Sequence, residues 1–427
     1  MAKLSSMSES QLKETYNQFK KEYDKACELG LKLDISRGKP NSAQLDLSNG
    51  LMTCLDKDTI EKFNFDYRNY GVMDGVPEAK EMLAPLLGVS PENTIVCGNS
   101  SLNIMYDCIV RAMLLGVLEG KTPWSKLPSI KFLCPAPGYD RHFAICEEFG
   151  IEMITIKMTE NGPDMDMVEK LVSEDECIKG MWCVPKYSNP QGITYSDETV
   201  RRLAHLKPAA DDFRIFWDNA YCIHDLYEEG DKLLNIMDAC KEAGTEDMPY
   251  LFFSTSKISF AGSGVAVMGG SKANIDWQKK RMTVQTISYD KINQLRHVLY
   301  YKDSNGLREH MKKHAEILRP KFETVLEAFD RELAPLGCVS YLRPRGGYFI
   351  SLDVESGCAK RCVELCKQAG IALTPAGATY PYKNDPEDKN IRIAPSYLEV
   401  EDLEKAALVL CASVKLACIE KYYKNAK

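Results

Sequence analysis

No apolar run in this chain approaches the roughly 20 residues that a membrane-spanning helix requires, so no span is expected. There is no Cys-x-x-Cys, and no spacing of His and Cys suggests a zinc site. The N-terminal stretch to Glu28 lacks the apolar core of a secretory signal and reads instead as a polar helix. Basic residues are not in excess. The net charge is −7 and the pI about 5.6, which argues against nucleic acid or an anionic membrane as the main partner. No internal repeat or low-complexity segment stands out. Cysteine, by contrast, is plentiful. The 16 residues are scattered, many inside apolar runs, as at Cys97, Cys134, Cys183 and Cys411. They read as buried reduced thiols, hence a reducing compartment and a cytoplasmic protein. With 427 residues, 44% apolar and 27% charged, the chain has material for a substantial core and two or three domains.

Periodicity supplies the fold class. Glu9 to Glu28 reads as an amphipathic helix and "LKLDISRGKP" as a short strand and turn. A helix is expected over about 75–88, closed by Gly88. From "NTIVC" to "YLFFS", apolar runs alternate with helical patterns, the signature of a mostly parallel sheet wrapped by helices. A long helical stretch with breaks covers about 275–334. After Gly337 the texture becomes α+β: two antiparallel strands in "CVSYLRPRGGYFISLDV", a helix, short strands about 371–374 and in "NIRIAP", and a last helix from Glu401. The expectation is a large α/β domain with a mostly parallel sheet of seven-stranded type (46–320), a smaller α+β domain (321–427), and an N-terminal arm (1–45) packed on the latter.

Ligands of α/β sheets bind beyond the carboxyl ends of the strands, so the residues there carry the functional signal. After "TIVC" come Gly98-Asn99-Ser100-Ser101, small residues and hydroxyls opening a helix and able to hold an anion. After "KFLC" comes Tyr139, an aromatic able to cover a flat ligand. After "MWCV" comes Asn189, in a loop stiffened by Pro190 and Gly192. After "RIFW" comes Asp218, a carboxylate costly to bury unless paired. After "YLFFSTS" comes Lys257, with apolar segments on both sides and few acids nearby. Such surroundings lower a lysine's pKa and leave a nucleophilic amine. Each has an ordinary reading when taken singly: an N-cap, a packed tyrosine, an Asn-Pro turn, a surface aspartate, a loop lysine. Together and in this order they match the needs of pyridoxal phosphate, whose mark is a Schiff-base lysine with an acidic partner for the pyridine nitrogen.

The succession Tyr70, Ser100-Ser101, Tyr139, Asn189, Asp218, Tyr221, Lys257, Arg392 resembles the fold-type I pyridoxal-phosphate aminotransferases over about residues 30–427. "SRGKP", "GNSSLNIMYD", "PGYDRHF", "STSKISFAGSGVA" and "DKINQLRH" are similar to a subgroup of aspartate aminotransferases related to the aminotransferase part of MocR-type regulators. The resemblance implies that Lys257 forms the Schiff base and moves the proton, and that Asp218 keeps the pyridine nitrogen protonated. It gives Asn189 and Tyr221 to the phenolic oxygen, Tyr139 to the ring face, and Ser100, Ser101 and Ser254 to the phosphate. It sends Tyr70 to a neighbouring subunit's phosphate, hence a homodimer. Arg392 and the Gly38 backbone would receive the substrate α-carboxylate. One position departs from the pattern. The arginine often found eight residues after the Schiff-base lysine is Val265 here, so Ser263 or another cation would have to replace it.

The implied reaction is ping-pong transamination, with aspartate and 2-oxoglutarate as the favoured pair. Candidates for the second carboxylate are Arg37, Lys39, Arg141, Lys186, Arg296 and Arg345, with Arg37 preferred because it adjoins Gly38. The alternatives are another enzyme on the same scaffold (a lyase, a decarboxylase, or a 2-aminoadipate or aromatic aminotransferase) and a ligand-sensing regulatory domain. The acidic charge and the roughly 30 residues ahead of the fold disfavour a DNA-binding regulator.

Overall fold

In the computed structural model, which describes residues 3–63 and 65–425, thirteen strands form three sheets. In chain order they are β1 (Leu33–Asp34), β2 (Thr94–Cys97), β3 (Lys131–Ala136), β4 (Glu152–Thr159), β5 (Gly162–Pro163), β6 (Ile178–Cys183), β7 (Arg214–Asp218), β8 (Pro249–Ser254), β9 (Ala266–Gly270), β10 (Val339–Tyr341), β11 (Ile350–Val354), β12 (Ile371–Ala372) and β13 (Asn390–Ile393). The large sheet has the order β2-β9-β8-β7-β6-β3-β4-β5. Neighbours from β8 through β4 are parallel. β9 runs antiparallel to both β2 and β8, so β2 points the same way as the parallel strands. The expected seven-stranded type is therefore present, with the two-residue β5 added at one edge.

The strands are apolar throughout because the sheet is covered on both faces. Alternate residues go to opposite cores. Phe132, Trp182, Phe216, Tyr250 and Phe252 enter one, whereas Leu133, Met181, Trp217, Leu251 and Phe253 enter the other. In the first, Phe132 packs against Trp124, Trp182 and Phe216 at centroid separations of 5.6–5.8 Å. Burying each such ring contributes on the order of 1.5–3 kcal/mol. These cores hold the strand ends, and thus the loops after Cys97, Ala136, Cys183, Asp218 and Ser254, on one side of the sheet.

The expected helix near 75–88 runs Pro77–Leu87, with proline at its first turn and Gly88 closing it at φ +68°. The helical stretch after Gly270 divides into Lys272–Gln285, Lys291–Tyr301 and Ser304–Glu332. A third core joins Leu12, Phe19 and Tyr23 of the N-terminal helix to Phe322, Phe329, Leu352, Ile393, Leu410 and Ile419. The first helix thus packs with the C-terminal elements, its start fixed by a Ser8–Gln11 capping box. β10, β11 and β13 make a three-stranded antiparallel sheet there. The strand expected about 371–374 is shorter, and β12 pairs in parallel with β1 rather than joining that sheet. All 16 cysteines are free thiols. Among the described residues no helix is long and apolar enough to cross a membrane.

Candidate active site

The strand-end loops converge on a cavity of about 620 Å³, counting its open mouth. Ser100, Ser101, Tyr139, Asn189, Asp218, Tyr221, Ser254 and Lys257 all line it, so eight residues spread over 158 positions of sequence meet in one place. Asp218 closes β7 and is 3% exposed. Its Oδ2 lies 3.1 Å from His142 Nε2, while its Oδ1 is buried without a partner among the described residues. His142 is itself fixed by stacking on Trp182, centroids 4.4 Å apart.

Lys257 ends a single 3₁₀ turn, Thr255–Lys257, that follows β8 directly. Burial lowers its pKa; the Asp218 carboxylate pulls the other way and Arg392 reinforces the burial. Its Nζ lies 5.2 Å from the centre of the Tyr221 ring. Burial pushes the Tyr221 hydroxyl's pKa well up, and neighbouring Tyr139 and Asp218 add to it. The Tyr139 hydroxyl is pushed up to about 12, again by burial first and Asp218 second. Both phenols are therefore neutral donors near pH 7.

The turn carrying Lys257 is held from behind. Tyr348 donates to the Lys257 carbonyl at 3.3 Å, and Gln44 donates to Tyr348 at 2.8 Å. Gln44 also meets His314 at 3.1 Å, and His314 meets His310 at 3.1 Å. His310 lies 3.1 Å from the Ile258 carbonyl. On the other flank, His297 contacts Thr255 and Ser259 at 3.2 and 2.8 Å. The lysine's backbone is thus tied to the N-terminal segment, the C-terminal elements and two helices.

Also lining the cavity, Ser100 precedes the helix Ser101–Leu115 and its hydroxyl makes no capping bond, which leaves it available at a helix N-terminus. Ser254 and Ser256 both donate to the Asn99 carbonyl, at 2.8 and 2.7 Å, and so fasten this loop to the lysine turn. A Cβ on Gly264 would lie 2.9 Å from the Ser256 amide and hydroxyl, so this close approach needs glycine. Val265 is 1% exposed and buried in the core, exchanging hydrogen bonds with Thr255. Ser263 bonds Asn293 and does not line the cavity, so Ser256 is the extra hydroxyl the structure offers.

Arg392, on β13, reaches the site from the C-terminal sheet. It is 7% exposed, contacts Asn189 at 3.4 Å and pairs with Asp140 at 2.8 Å. Gly38 packs edge-on against Phe349, where a Cβ would sit 2.6 Å from the ring. Phe349 in turn underlies the Arg392 guanidinium, 4.9 Å away. Tyr70 stands apart from its own chain's cavity and is 75% exposed. Of the cations considered for a second carboxylate, Lys186 is bound to Asp225 at 2.9 Å and Arg345 to Asp231 at 3.5 Å. Lys39 lies over Tyr397, and Arg296 is half-buried. Arg37 and Arg141 are exposed.

Three functional neighbours escaped the sequence reading. His142 and Asp140 sit inside the quoted "PGYDRHF", but their partners lie 76 and 252 positions away. Ser256, adjoining Lys257, lines the cavity beside Ser254.

The set has a definite chemistry. A buried acceptor without a donor, hydroxyls at a helix N-terminus, an aromatic wall and an amine of lowered pKa suit a flat, protonated heterocycle bearing an aldehyde and a phosphate. That is the donor set of a pyridoxal-phosphate enzyme on an α/β sheet. Comparison with known proteins agrees. The profile described as Aspartate amino-transferase matches residues 7–426. An aspartate aminotransferase of Corynebacterium glutamicum is 45% identical over 408 residues, covering 95% of this chain and 94% of that protein. The crystal structure of an aspartate transaminase from Corynebacterium glutamicum superposes with a TM-score of 0.95 at 43% identity, covering 99% of each chain. A 2-aminoadipate transaminase of Thermus thermophilus is more distant, 22% identical over 347 residues and 81% of each chain. The chain belongs to the aspartate amino-transferase family and is an aminotransferase of fold type I, a group whose cofactor is pyridoxal phosphate.

The histidines behind the lysine have a consequence for stability. Burial lowers the pKa of His297 and His310 to about 4 and that of His314 to about 3. An unfolded histidine titrates near pH 6.5, so below that pH the unfolded chain binds protons the folded one refuses. Stability should therefore fall as pH drops from about 6.5 to 4, by about 1.4 kcal/mol per pH unit for each histidine. Urea midpoints at pH 7 and 5 test this. His297→Gln should flatten the slope, and an unchanged slope would contradict the assignment.

Proposed function

We propose that the chain moves the amino group of L-aspartate to 2-oxoglutarate, giving oxaloacetate and L-glutamate. The observation that carries the cofactor half of this reading is Asp218 Oδ1, a buried carboxylate oxygen without a donor among the described residues, on a side chain that lines the Lys257 cavity. When bound there, pyridoxal phosphate supplies an electron sink for the charge that develops at the substrate α-carbon. Asp218 would accept the ring N–H and keep that nitrogen charged, with His142 holding the other oxygen. Tyr221 and the Asn189 amide would donate to the phenolic oxygen, and Tyr139 would cover the ring. Ser100, Ser101, Ser254 and Ser256 would hold the phosphate. Lys257 Nζ takes the α-proton and returns it to the cofactor side, a role its lowered pKa favours. Arg392 grips the α-carboxylate through its planar fork beside the Gly38 backbone. Arg37 and Arg141, exposed next to Gly38 and Asp140, are the candidates for the second carboxylate. Likeness to the Corynebacterium enzyme supports aspartate as donor.

The N-terminal arm (1–45) and residues 321–427 would act as one body against the large α/β domain (46–320), and the free thiols suit the cytoplasm. The enzyme would be a homodimer in which the exposed Tyr70 serves the partner's phosphate site.

Adding aspartate to the cofactor-loaded protein should change its visible spectrum and release stoichiometric oxaloacetate; 2-oxoglutarate should reverse the change. Lys257→Ala should slow proton transfer by about 10²–10⁴-fold or more while still binding cofactor. A spectrum indifferent to aspartate would sink the substrate assignment. For Tyr70, mixing protomers of Tyr70→Phe with protomers of Lys257→Ala should restore activity, because hybrid dimers hold one site with both residues. A monomeric protein, or no rescue, would contradict the shared site.

A further inference from the structure

Arg392 already holds a carboxylate of its own chain. Its Nη1 donates to Asp140 Oδ1 at 2.8 Å and to Asn189 Oδ1 at 3.4 Å. Its Nε and Nη2 donate to Thr374 Oγ1 at 3.4 and 3.3 Å. Of the five N–H groups, this leaves one hydrogen on Nη2 uncommitted among the described residues. Two-pronged capture of another carboxylate needs a second hydrogen, so one of these partners must yield. Thr374 is buried, and its own hydroxyl donates to the Ser36 carbonyl at 2.8 Å. Asn189 is 4% exposed and neutral, so it neither swings free nor repels an anion. The Asp140 side chain is 33% exposed and charged, and it lies against a guanidinium only 7% exposed. Two carboxylates crowded on one buried cation repel each other, and Asp140 is the one that water can take back. The pair also joins the first turn of helix Asp140–Glu148, on the large sheet's side, to β13.

We propose that Asp140 is a stand-in for the substrate: its carboxylate holds the guanidinium of Arg392 before substrate arrives and must be displaced by the incoming α-carboxylate. This rests on Arg392 being the α-carboxylate site. It makes Asp140 a determinant of affinity. The ion pair keeps the fork aligned when no ligand is present, and every carboxylate ligand competes against it.

The test uses cofactor-loaded enzyme and succinate, a dicarboxylate that cannot react, titrated by calorimetry. Asp140→Asn should bind succinate about three- to tenfold more tightly than the parent, the range expected when a partly exposed charge pair no longer competes. The KM for aspartate should fall by a similar factor with no rise in kcat. Asp140→Ser, which likewise removes the charge, should behave alike and guards against a folding defect peculiar to Asn. Unchanged or weaker succinate binding in both variants would overturn the proposal. A change confined to the melting temperature would mean that Asp140 merely serves its helix and would overturn it too. Arg392→Leu separates the two layers: if it binds succinate like the parent, the assignment of Arg392 itself is wrong.

Discussion

A carboxylate taken out of water must find hydrogen-bond donors, and the penalty for failing is several kcal/mol. Asp218 meets half of that demand. His142, locked by its stack on Trp182, serves one oxygen, and nothing among the described residues serves the other. The site is arranged around this deficit. Tyr139, Tyr221, Lys257, Ser100, Ser101, Ser254 and Ser256 line the same cavity. A ligand bringing an N–H to Asp218 completes the carboxylate's hydrogen bonds. The charge of that aspartate then becomes a lever on the ligand's electronics rather than a cost to the fold.

The same logic governs the cation side. Burial disfavours the charge of Lys257, and Arg392 works in the same direction. Arg392 is paired with Asp140 at 2.8 Å, whereas for Lys257 the opposing influence is the Asp218 carboxylate. Lys257 is therefore biased toward the free amine, while Arg392 sits in an ion pair. The histidine–glutamine–tyrosine chain behind the lysine fixes its backbone without offering it a charged partner, since its histidines are neutral at physiological pH.

Much of this was legible in the sequence because strand-end residues are local signals. An apolar run followed by Asp218, or by Ser-Thr-Ser-Lys257, marks both the strand and what projects from its end. Lys257, Asp218, Asn189, Tyr139, Tyr221 and three serines duly meet at one cavity. Direction was not legible. The apolar segment after Lys257 signals burial, but its antiparallel course as β9 depends on a turn packed too tightly for a side chain at Gly264. The two-residue β1 and β12 are too short for any periodicity, and their pairing is decided by the cores they join. His142, Asp140, Gln44 and His314 were invisible for a different reason. Within their helices or loops they look like ordinary polar positions, and their roles arise only from partners 76 to 270 positions away.

The central claim is that Asp218 uses its unpaired oxygen to keep the cofactor's ring nitrogen protonated. The most direct measurement is the ¹⁵N chemical shift of ring-labelled pyridoxal phosphate bound to the enzyme, recorded from neutral to alkaline pH. The account predicts a protonated nitrogen throughout that range in the parent and a deprotonated one in Asp218→Asn. A deprotonated nitrogen in the parent at neutral pH, or no difference between the two proteins, would contradict it.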